Sequence, residues 1–216
     1  MNTNTAEVHN EPIVEPLGQF PPTLNLYDWM LDEVYSYFHR PIMEINSGNA
    51  DVLSWFSRKQ LPLHLSHPNK KYCESLRNKY GENPIVHSVH SLDPDLTEFE
   101  YAYSNRIGFF KTILAINTKD YITFNSQNIS KIKLLISENG RIIFLTPART
   151  TLYCTSGEDS VSLRSANWDH LTNLIGTDMQ IQKIRHLVIP NLTNSATRQH
   201  TGLSSLIVAK KISEHQ

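Results

Sequence analysis

Residues 42–56, Ile-Met-Glu-Ile-Asn-Ser-Gly-Asn-Ala-Asp-Val-Leu-Ser-Trp-Phe, constrain this chain more than any other stretch of it. A short apolar run carrying one acid, Glu44, stops at a polar loop, and apolar residues then return at helical spacing in Val52, Leu53, Trp55 and Phe56. That order describes a buried strand that turns sharply into a helix. Apart from glycine, asparagine best tolerates a positive φ, so Asn46 can hold the turn that Gly48 continues.

The rest of the chain repeats the theme. Strand-like apolar runs alternate with helical stretches over residues 61–65, 71–79, 85–89, 111–116, 129–136 and 141–145, followed by a helix at 171–175 and strands at 181–188 and 203–210. Such alternation predicts βαβ units and a mostly parallel sheet covered on both faces. Leu26, Met30, Val34 and Tyr37 recur at helical spacing and predict an amphipathic helix over about residues 25–38. Residues 1–23 hold Pro12, Pro16, Pro21 and Pro22 among polar residues, which favours an extended arm. The expected organisation is therefore a flexible arm at 1–23 and a single domain at 24–216.

Composition narrows the function classes. A net charge of −1, with 39% apolar and 19% charged residues, argues against disorder throughout and against a nucleic-acid partner. Cys73 and Cys154 are too few for a disulfide framework and lack zinc-ligand spacing, so a reducing cytoplasm and no metal are expected. No apolar run is long enough for a membrane span. His64, His67, His87 and His90 form two His-x-x-His pairs, but residues three apart on a strand point to opposite faces. Only His67 and His90, at the ends of neighbouring strands, are expected to converge.

Read in order, residues 26–211 resemble a class I S-adenosylmethionine-dependent methyltransferase of the bacterial, glycosyltransferase-associated type. Residues 42–56 resemble its Gly-x-Gly-x-Gly first turn with two glycines replaced, by Asn46 and Ala50. Residues 128–148 are similar to its helix, glycine-ended turn and strand ending in Pro-Ala, and residues 202–211 to its last strand. The resemblance implies a Rossmann-like, seven-stranded, mostly parallel α/β sheet with helices on both faces.

It also implies a site. The cofactor positions fall on Glu44, Asn46, Gly48, Ser66, Ser91 and Asn117. In the family an acid ends the second strand and holds both ribose hydroxyls of the cofactor; Ser66 stands there, and Ser91 replaces the acid beside the adenine amine. Asp120 as general base and Tyr121 as hydrogen-bond donor are the catalytic candidates, near where a methyl acceptor would meet the sulfonium. The implied cofactor is S-adenosylmethionine, with binding lost or weakened at these substitutions. Three functions stay open: a non-methylating partner or repurposed protein in a biosynthetic pathway, an active methyltransferase on a small molecule or glycan precursor, and a non-methylating cyclase or isomerase using the same pocket. The partner is accordingly a protein or a small-molecule substrate.

Overall fold

The apolar runs become strands because helices cover them from both sides. The fold is taken from a computed structural model that describes residues 13–16, 25–92, 103–116, 126–146, 151–153, 168–176, 178–190 and 200–212. In chain order the strands are β1 (Ile13–Pro16), β2 (Ile42–Ile45), β3 (Leu63–His67), β4 (Val86–Ser91), β5 (Phe110–Ile116), β6 (Ile136–Thr146), β7 (Thr151–Tyr153), β8 (Met179–Pro190) and β9 (His200–Lys211). The helices are α1 (Leu26–Glu33), α2 (Ala50–Arg58), α3 (Lys70–Tyr80), α4 (Ser126–Leu135) and α5 (Trp168–Ile175).

The sheet runs β1-β8-β9-β6-β5-β2-β3-β4, and β7 pairs with β9. Seven of these strands, from β4 across to β8, form the expected mostly parallel sheet, in which β9 alone runs antiparallel to its neighbours β6 and β8. Two short strands are additions. Within the stretch read as an arm, Ile13–Pro16 pairs in parallel with residues 185–188 of β8 and covers that edge.

Alternate residues of the central strands feed two separate cores. Met43, Ile113, Ile142 and Ile207 lie on one face with Ile129, Ile132 and Leu135 of α4; Ile42, Leu114, Ile143 and Val208 lie on the other with Met30 and Leu31 of α1 and Val52, Trp55 and Phe56 of α2. This two-sided burial explains why the strands read as continuous apolar runs rather than alternating ones.

Three helices start on the same device. The side chains of Asn25, Asn49 and Asn69 accept hydrogen bonds from first-turn N–H groups of α1, α2 and α3. α1 stops at Glu33, short of the expected residue 38, because Val34 leaves the helical region (φ −111°, ψ 7°) and the chain tightens into a 3₁₀ turn at Tyr35–Tyr37. Glu33 then anchors the helix to β8, receiving Lys183 at 3.2 Å and the guanidinium of Arg185.

At the amino end of the sheet, the Pro41 carbonyl accepts from Lys111 N and Thr112 N. The buried Thr112 hydroxyl both accepts from His39 N at 2.9 Å and donates to His39 O at 3.0 Å, which pins the approach to β2 against β5. Among the described residues no helix is long and apolar enough to cross a membrane.

Candidate functional site

The crevice at the carboxyl ends of β2, β3, β4 and β5 is the place where this topology concentrates chemistry. β2 has β3 on one side and β5 on the other, so successive crossovers leave in opposite directions and part there. Asn46 begins the loop with φ +62°, in the left-handed region, and Gly48 follows at φ +142°. Asn139, ahead of the main run of β6, repeats the choice with φ +58°. Asparagine thus supplies positive φ at both turns, at some cost in strain but without glycine's freedom in the unfolded chain.

Below the loop, hydrogen bonds stitch β2 to β3. Ser47 N donates to Ser66 O at 2.7 Å, Ser66 N donates to the Ser47 hydroxyl at 3.0 Å, and both serine hydroxyls donate to the Glu44 carbonyl, Ser47 at 3.0 Å and Ser66 at 2.8 Å. Ser66 is fully buried, so its hydroxyl is committed to backbone rather than turned to the crevice. Ser47 was not singled out from the sequence, since a serine inside a Gly-x-Gly loop carries no mark of its own.

Glu44 is buried, and its Oε1 has no hydrogen-bond partner. Burial pushes its carboxyl up to about 8, so the group holds its proton at neutral pH. A neutral carboxyl is a weak counter-group for an ammonium.

The loop's outer surface is occupied by the chain itself. Tyr72, in the first turn of α3, lays its ring on Gly48 and donates its hydroxyl to the Gly48 carbonyl at 3.3 Å. A Cβ at Gly48 would stand 2.4 Å from the Tyr72 Oη and 2.6 Å from a ring carbon. His67 packs against the same ring, with centroids 4.4 Å apart, and its Nδ1 accepts from Asn69 N. Asn49 meanwhile accepts from Asp51 N and Val52 N and so satisfies two of the amides left open at the start of α2. Ala50 is exposed beside it. The Cys73 thiol lies 3.2 Å from both His67 O and His90 O, sharing its one proton between them, and ties the ends of β3 and β4 together.

Ser91 ends β4 opposite His67, and its carbonyl accepts from Tyr103 at 3.4 Å. Asn117, Asp120 and Tyr121 fall within 117–125, outside the described residues.

The histidines do not meet as the sequence suggested. His67 turns to Tyr72, whereas His64 Nδ1 and His90 Nε2 each lie 2.6 Å from the Ser88 hydroxyl. The register pairs His64 with Ser88, and a bulge at His87 brings that ring onto His64 with centroids 5.5 Å apart. Neither the register nor the bulge is visible in residue spacing. Burial, then the charges of His90 and Arg106, push His64 down to about 4. Among the described residues no group of three or more His, Cys, Asp or Glu side chains could hold a metal ion.

No protein-family model matches the chain, and no curated protein sequence matches it. Solved structures share its fold. An enzyme of echinomycin biosynthesis, from work on converting a disulfide bond into a thioacetal group, superposes with a TM-score of 0.58 at 11% identity, over 86% of this chain and 81% of that one. The [4+2]-cyclase SpnF gives 0.56 at 10% identity, over 86% and 81%. The methyltransferase CalH, solved with S-adenosylhomocysteine, gives 0.54 at 10% identity over 86% of this chain, which spans 57% of that longer one. The chain therefore has the class I methyltransferase fold, and the likeness extends to fold alone.

Proposed function

We propose that this protein is a methyltransferase-fold protein with a degenerate S-adenosylmethionine site, which serves a biosynthetic pathway as a non-methylating partner or repurposed protein. The observation that carries the reading is the Tyr72 ring on Gly48, on the backbone that the family leaves bare for its cofactor. The other positions agree with it. Ser66 has spent its hydroxyl on Glu44 O, Asn49 has spent two α2 amides, and Glu44 is protonated. Glu44, Asn46, Gly48, Ser66, Ser91 and Asn117 are then vestigial cofactor positions, and the arrangement at Glu44, Gly48 and Ser66 does not fit S-adenosylmethionine as it stands. Fold relatives that include a cyclase make a second life for such a scaffold chemically reasonable.

Calorimetry with S-adenosylmethionine and S-adenosylhomocysteine tests this reading. The expected dissociation constant for the native chain is weaker than roughly 100 μM, and Tyr72→Ala is expected to tighten it by about tenfold by uncovering Gly48. Low-micromolar binding by the native chain, about 7–8 kcal/mol, would overturn the reading.

The exposure of Tyr72, 39%, and its single long hydrogen bond favour a second reading in which the ring swings aside as a gate over a working site. The native chain would then bind in the low-micromolar range, and Tyr72→Ala would change the association rate more than the affinity. Co-purification from the host separates the remaining branches: a stable protein companion supports the partner role, and turnover of a small molecule by the isolated chain supports repurposed chemistry.

A further inference from the structure

A second concavity lies at the opposite end of the sheet. Arg40 and Pro41 precede β2, Pro62 precedes β3, Phe109 precedes β5, and these residues with His64 and His87 line a cleft of about 420 Å³ at the amino ends of the central strands. The volume suits a small organic ligand. Its walls are flat: His64 and His87 stack with an interplanar angle of 20°, Phe109 meets His64 edge-on with centroids 5.8 Å apart, and two proline rings complete the lining.

Among the described lining residues the permanent charge is positive. Arg40 is the permanently charged residue of the lining and is exposed, with no ion pair or hydrogen bond to its side chain among the described residues. Arg106 sits 4.7 Å above the Phe109 ring. The charges of Arg141 and Lys111 reach His39, the residue before Arg40, and add to burial in holding its proton affinity down. Among the described residues no carboxylate lines the cleft. Apolar walls beside unneutralised cations focus a positive potential, and a guanidinium fork matches a carboxylate in two parallel hydrogen bonds. His64 presents a polar edge as well, since only its Nδ1 is committed, to Ser88.

We propose that this cleft binds a small organic anion with a flat apolar body, an aromatic carboxylate, with Arg40 on the carboxylate and Phe109, His64 and His87 against the ring. The site is separate from the crevice at the carboxyl ends of the strands and does not rest on the reading given for it.

Titration of the full chain with 2-naphthoate and with uncharged 2-naphthamide, followed by calorimetry and by NMR of the histidine rings, tests the proposal. Submillimolar naphthoate binding is expected, with naphthamide weaker by roughly tenfold and the difference shrinking as salt is raised. Arg40→Gln, at an exposed residue, is expected to erase the preference for the anion, and Phe109→Ala to weaken both probes. Tyr72→Ala, at the far end of the sheet, is expected to leave both unchanged. The proposal is overturned if naphthoate fails to bind at millimolar concentration, if the two probes bind alike, or if Arg40→Gln keeps the native preference.

Discussion

Replacing Glu44 by glutamine is expected to raise the stability of the folded chain above pH 8 by up to about 5 kcal/mol and to leave it nearly unchanged near pH 4. The sign follows from where the proton sits. In the unfolded chain the carboxyl titrates near 4.5, and in the folded protein near 8. Between those values the folded state holds a proton that the unfolded state has released, so raising the pH through that window costs stability. Glutamine has the same shape and no proton to lose. His39, His64, His67 and His90 are all held below the usual imidazole range, chiefly by burial, and give a slope of opposite sign, with stability rising as pH climbs toward 6.5. The difference between variant and native chain isolates Glu44 from them. Urea unfolding midpoints from pH 5 to pH 9 are the measurement, and parallel profiles for the two proteins would remove Glu44 as a buried, protonated acid.

Ser66→Asp, which on the reading proposed above would return an acid to the cofactor site, is expected to destabilise the protein by about 3 kcal/mol or more and to gain no cofactor affinity. Ser66 is fully buried and donates to the Glu44 carbonyl at 2.8 Å. A carboxylate there has no proton to donate, faces a carbonyl oxygen, and loses its water. Ser66→Ala removes the same hydrogen bond without adding charge and is expected to cost about 1 kcal/mol. Thermal and urea unfolding of the two variants, with calorimetry against S-adenosylhomocysteine, decides the matter. An aspartate variant as stable as the native chain, or one that binds the cofactor product more tightly, would place the Ser66 side chain in the crevice instead.

The sheet was legible in residues 42–56 and in the alternation that follows, because burial of strands on both faces leaves unbroken apolar runs. The left-handed turn at Asn46 was legible too, since few residues tolerate that backbone. Tyr72 was not. It is 24 positions from Gly48, and in the first turn of α3 it reads as any exposed aromatic residue; only the packing of α3 against the loop brings the two together. The Ser47–Ser66 stitching and the His64–Ser88–His90 chain were hidden for a related reason: the first depends on the register of β2 against β3, the second on that of β3 against β4 and its bulge, and residue spacing encodes neither.

That two-sided burial carries a consequence for assembly. In a sheet with one wet face, slipping a strand by a single residue throws its apolar set into water, and the error corrects itself. Here Ile42, Met43 and Ile45 of β2, or Ile113 and Leu114 of β5, would exchange one greasy surface for another. The alignment must be keyed by the few polar groups inside. Thr112 clasps His39 through both its backbone atoms, and Ser47 and Ser66 converge on one carbonyl of β2. At both ends of the central strands, buried hydroxyls thus tell neighbouring strands where to stop sliding.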